Sequence, residues 1–112
     1  MAQFFVYRNL DVNTTGALIS AGPHSLMGYY MANIATSVRY VKFYDKATAP
    51  SVGTDTPVMT IPLPAGGAAN LLPGGIGWPF TLGLGIGATT AAADVSTAAP
   101  AANDVIVNLV YN

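Results

Sequence analysis

The chain has a single histidine, His24, and neither cysteine nor glutamate. A two-histidine metal site, a Cys-His pair or a thiolate-bound metal therefore cannot be assembled within one copy. Ser20 and Ser25 flank His24, and five aspartates are present, so the residue types of a Ser-His-Asp relay all exist. No nucleophile-elbow pattern surrounds either serine, and such a relay is defined by geometry rather than by composition. The aspartates stand singly at 11, 45, 55, 94 and 104, without the Asp-x-Asp-x-Asp spacing of a calcium loop, and read as turn and strand-end residues. These observations point away from an enzyme and assign no catalytic residue, cofactor or metal.

Gly83-Leu84-Gly85-Ile86-Gly87-Ala88 satisfies the loose form G-x-G-x-x-A of a dinucleotide-binding turn. That turn requires a helix to follow, whereas here Thr89-Thr90 lead into a stretch broken by Pro100. From Phe80 to Gly87 large apolar residues alternate with tiny ones at period 2, which describes a strand with one core face and one face of nearly bare backbone. A bare face lets another segment or an aromatic ring lie directly on the sheet, and that use offsets the entropic cost of glycine in a strand. Tyr29, Tyr30, Tyr40, Tyr44 and Trp78 have the rings of a sugar- or protein-binding surface, although alternation places most such rings in sheet packing. Trp78 sits in the turn-like run IGWPF, where no pattern obliges it to be buried.

The elements that must carry these residues are strands. In residues 37–64 two β-rich runs flank a connection holding Asp45, Pro50, Gly53 and Asp55. Val41 and Phe43 fall on an apolar side, and Tyr40, Lys42 and Tyr44 on an amphipathic one. In the second run Met59, Ile61 and Leu63 alternate with their neighbours, while Pro57, Pro62 and Pro64 remove ladder donors, so this run belongs at a sheet margin. Residues 1–8, with the β-rich run 4–7, read as either a first strand or an N-terminal arm, and residues 16–20 and 25–33 as further strands. Residues 65–75 read as a loop, order resumes at Ile76, and the Ala/Thr-rich residues 88–103 form an exposed loop. In 104–111 Val105, Val107, Leu109 and Tyr111 face one way, so the last run is sewn into a sheet. Seven or eight short strands without a long helix describe one all-β domain over 1–112, an antiparallel β-sandwich of jelly-roll type. Val41, Phe43, Leu82, Leu84, Ile86, Val107 and Leu109 are expected inside it.

Charge is scarce: 8% of residues against about 25% in an average domain. A surface with so few charges is either rich in Thr, Asn, Gly and Ala or covered by other subunits. Arg8, Arg39, Lys42 and Lys46 are balanced by the aspartates, so there is no basic footprint for nucleic acid. Between Asp55 and Asp94 no residue is charged, yet the many prolines and glycines there preclude a continuous membrane helix. The apolar run before Arg8 is too short for a secretory leader, which suggests a protein made and kept in the cytoplasm until it is assembled or released.

The succession TGALIS, SVRYVKFYDKATAPSVGTDTPVMTIPLPAGG, WPFTLGLGIGATT and NDVIVNLVY resembles small virion proteins encoded among tailed-bacteriophage structural genes. Over nearly the whole chain it looks like the jelly-roll decoration (cement) proteins of capsids, and unlike the loop-rich decoration proteins of lambda-like phages. The resemblance implies a non-enzymatic structural protein that binds and stabilises the assembled major-capsid lattice. It implies a homo-oligomer, with a trimer on threefold positions favoured over a dimer at twofold positions, made in the host cytoplasm and located on the capsid surface. A carbohydrate- or receptor-binding module of a tail, neck or fibre is the alternative. The residues expected at an interface are Phe4, Phe5 and Tyr7, the prolines at 57, 62 and 64 (Pro57, Pro62, Pro64), and Trp78.

Overall fold

A ribbon with large apolar side chains at every second position buries one side, and it is stable only when another layer covers that side. The computed structural model, which describes residues 3–72 and 77–112, meets this demand with nine strands in two sheets. They are β1 (Phe5–Asn9), β2 (Ala17–Ala21), β3 (His24–Asn33), β4 (Arg39–Asp45), β5 (Met59–Leu63), β6 (Ala68–Leu71), β7 (Trp78–Phe80), β8 (Gly83–Thr89) and β9 (Val105–Tyr111). One sheet has the order β1-β9-β3-β6, with β7 pairing β3 beyond β6; the other has the order β2-β8-β4-β5, and all pairs are antiparallel. With β7 set aside, the first strand lies beside the last, the second beside the next to last, β3 beside β6 and β4 beside β5. That is the winding of a jelly roll.

The count exceeds the seven or eight strands read from sequence because both β6 and Trp78–Phe80 pair with β3. Three of the four β6 residues are exposed, so its place comes from backbone bonding rather than from an apolar pattern. Residues 73–76, part of the loop and restart anticipated there, lie outside the described residues. In β3 a bulge between Leu26 and Gly28 puts Leu26 and Tyr29, three apart, on the same face. They pack with Met31, Val107 and Leu109 against Val41, Phe43, Leu84 and Ile86 of the facing sheet.

Of the expected core only Leu82 is misplaced; it is 55% exposed. The alternation of Phe80, Leu82 and Leu84 crosses from one sheet to the other, and residues 81 and 82 make the crossing. There the Asp45 carboxylate accepts N–H bonds from Thr81 (3.0 Å), Leu82 (2.7 Å) and Gly83 (3.2 Å), which bends the backbone and turns Leu82 to solvent. The amphipathic side expected for β4 is also different, because Lys42 and Tyr44 are as buried as Val41 and Phe43. The β4–β5 connection folds back over the glycine face of β8: a Cβ at Gly85 would stand 3.1 Å from the Pro50 ring, and one at Gly87 2.6 Å from a Val52 methyl. Residues 93–97 complete this roof, with Gly53 packed under Thr97 and Lys42 Nζ donating to the Ala93 carbonyl at 2.6 Å. The bare face thus receives the segment that its sequence invites.

Candidate interaction surfaces

The two sheets leave the molecule with unequal exteriors. The outer face of the β2-β8-β4-β5 sheet is roofed by the chain itself. The outer face of the other sheet is open, in cross-strand rows of Val6, Val110 and Gly28, then Arg8, Asn108, Tyr30 and Asn70, then Ile106, Ala32 and Ala68. Val6 is 75% exposed and Tyr30 46%, and Arg8 is the one charge in these rows. The sequence did not single out Val6 or Leu72, which lies over Gly28. Val6 stands in a run read as a strand, but which side of that strand is left uncovered depends on where the roof closes, and Leu72 follows a stretch with no apolar alternation.

The expected interface residues fall on two opposite margins. Phe4 and Phe5 are exposed and Tyr7 half-buried at β1, which ends one sheet. Phe5 stacks on Tyr111 with centroids 5.4 Å apart, and Tyr7 accepts a bond from Asn9 Nδ2 at 2.9 Å. Pro62 and Pro64 are exposed and Pro57 half-buried along β5. β5 ends the other sheet and joins β6 through a short turn, so it lies on the margin away from β1. Asn33, overlooked in the sequence, pins that margin: its Nδ2 lies 2.9–3.2 Å from the carbonyls of Ser37, Leu63 and Pro64. Trp78 is on this side as well, half-buried in β7 and stacked on Tyr29 with centroids 6.2 Å apart.

The other candidate chemistry is not drawn together. His24 lines an open depression of about 370 Å³ with Pro23, Ser25, Pro79, Phe80, Thr81 and Asn112. Its two ring nitrogens face carbonyls, Nδ1 that of Asn112 at 3.1 Å and Nε2 that of Ala21 at 3.0 Å, instead of the hydroxyls of Ser20 or Ser25. Gly83 to Ala88 is the interior of β8, not a strand-to-helix turn. Among the described residues no three His, Cys, Asp or Glu side chains are grouped to hold a metal ion, and no helix is long and apolar enough to cross a membrane.

Electrostatic perturbation concentrates beneath the roof and at its rim. Burial lowers the Lys42 ammonium below its ordinary 10.5, partly opposed by Asp94, and burial raises the Tyr44 phenol above 10.0, helped by Asp55 and Asp94. The Tyr44 hydroxyl is buried without a hydrogen-bond partner among the described residues. Burial pushes the Asp45 carboxyl up, but its three backbone donors outweigh that and hold it below 3.8. The sign of each effect on stability follows from which state holds the proton. Between the lowered Lys42 value and 10.5 the unfolded chain binds the extra proton, so stability rises with pH. Above 10.0 the unfolded chain loses the Tyr44 proton first, so stability falls. The Asp45 contribution is present above 3.8 and is lost as pH falls through its folded value. Melting temperatures across pH are expected to show an alkaline rise followed by a fall, and Lys42→Met is expected to flatten the rise; an unchanged alkaline limb in that variant would place the lysine outside the roof.

No family model, no curated protein and no solved structure matches this chain.

Proposed function

We propose that this protein is a non-enzymatic virion structural protein, a capsid decoration protein that binds the assembled major-capsid lattice as a homo-oligomer, with trimers on threefold positions. The observation that carries this reading is the unequal exterior: the chain's own loops cover the outer face of one sheet over β8 and β4, and the other sheet's outer face is left open, with Val6, Val110 and Ile106 beside Asn108, Tyr30 and Asn70 and a single charge, Arg8. An open, nearly uncharged sheet face with exposed apolar side chains on a low-charge domain is suited to contact. The jelly-roll winding supports the reading by analogy, since that architecture recurs in viral capsid domains. Stabilisation would come from mass action: a ligand that binds only the assembled shell lowers the free energy of that state, and closed cyclic oligomers repeat each weak contact.

The test is the protein's copy number and position in purified particles. Hundreds of copies on heads are expected. Contacts through an apolar face depend little on ionic strength, so particles washed in high salt are expected to keep the protein. A few copies confined to a tail tip, or release by salt, would replace this reading with a receptor-binding one.

A further inference from the structure

A strand at the end of a sheet leaves its outer backbone N–H and C=O groups unpaired, and chains guard such edges with prolines, bulges or short fragments. Three of the four sheet ends here are guarded. β5 carries Pro62, β2 has a bulge between Leu18 and Ser20, and the end beyond β3 is divided between the short β6 and β7, the latter with Pro79. β1 has neither proline nor bulge, and among the described residues it pairs only with β9.

Hydrogen bonding in β9 shows which β1 groups face outward. On the β3 side Asn112 exchanges backbone bonds with Ser25 and the Asp104 carbonyl accepts from the Ile34 N–H, while the Val105 carbonyl accepts from Val12 on the β1 side. Alternation along β9 therefore turns Val107, Leu109 and Tyr111 to β1, where they oppose Asn9, Tyr7 and Phe5. The backbone groups of Val6 and Arg8, and of Phe4 before them, point to the free edge.

We infer that this edge binds the same edge of a second copy, forming an antiparallel seam about a twofold axis at Val6. The sequence Phe4-Phe5-Val6-Tyr7-Arg8 is self-complementary in that register. Val6 opposes Val6, Phe5 opposes Tyr7, and Phe4 opposes Arg8, so the seam has an aromatic pair and a cation over a ring on each side of the axis and sets no like charges together. The outward groups of residues 4, 6 and 8 are the ones that this register bonds. Such isologous pairing joins the two open sheet faces into one continuous surface. The inference does not depend on the virion reading, since a twofold seam can join two free copies or two neighbouring trimers on a lattice.

Sedimentation equilibrium of the full chain over a wide concentration range is expected to show reversible assembly to about twice its 11.5 kDa mass. Val6→Pro removes an outward donor without touching a β1–β9 bond, and Val6→Lys sets two cations opposite each other. Either variant, folded by circular dichroism, is expected to shift the dissociation constant at least tenfold. The register is read by oxidative cross-linking, for which the native chain provides no competing thiol. Val6→Cys is expected to yield a covalent dimer through paired backbones about 5.5 Å apart, and Arg8→Cys, four residues from its own copy in this register, is not. A chain monomeric at the highest concentration, assembly untouched by both Val6 variants, or equal cross-linking at 6 and 8 would overturn the seam.

Discussion

Phe43→Ala is expected to destabilise the protein by about 3–5 kcal/mol, the range for removing a fully buried aromatic ring. Phe43 has no exposed surface and sits between Tyr29 and Phe80, each with its ring centroid 6.4 Å away. Tyr29 and Phe80 come from one sheet and Phe43 from the other, so the vacated space lies at the seam of the two layers, where neither can collapse without shifting a whole strand. Against a typical total of about 5–15 kcal/mol the loss is large enough to leave the variant partly unfolded at ambient temperature. Denaturant unfolding followed by tyrosine and tryptophan fluorescence measures it. A midpoint within error of the parent would mean that the two layers do not meet at this ring.

Gly83→Ala is expected to cost about 1–3 kcal/mol or more. The added carbon would run into the carbonyl oxygen of Lys46, and both backbones there are already fixed. The Lys46 N–H donates to the Gly83 carbonyl at 3.2 Å, and Asp45 holds residues 81–83 through three bonds. Gly87→Ala supplies the contrast. Its new methyl clashes with a Val52 side-chain methyl, which can turn aside, and otherwise meets the Asn13 carbonyl and the Tyr44 ring at ordinary contact distance, so the cost is expected to be smaller than at Gly83. Thermal unfolding of the two variants side by side checks the order; the reverse order would mean that the loop after β4 yields more readily than a valine side chain.

Much of this architecture is legible in the sequence because period-2 burial leaves a direct record. Val105, Val107 and Leu109 alternate with half-buried neighbours as read, and the prolines mark β5 as a sheet end. The reading fails where burial comes from something other than a strand's own pattern. Lys42 and Tyr44 look like an exposed face because nothing in residues 39–45 reports that Pro50 and Val52 will lie over them; the clue stands forty residues away, in the glycines of β8 that make room. Leu82 fits the alternation perfectly and still faces solvent, since the run spans two sheets and Asp45 bends the backbone between them. β6 has no apolar signature, as it is held by main-chain bonds to β3. The arrangement of the residues expected at an interface was not legible in the sequence. Phe4, Phe5 and Tyr7 share one margin, whereas Pro57, Pro62, Pro64 and Trp78 lie across the molecule from them, a division that only the strand order reveals.

The uneven guarding of the sheet ends also sets where growth stops. Two copies joined at β1 would turn outward only prolines, a bulge and broken fragments, none of which templates another strand. A chain with this much apolar surface and this little charge is otherwise a candidate for open-ended β-stacking into fibres. Pairing through β1 would then be its own terminator, since the resulting dimer, among the described residues, offers no second unguarded edge.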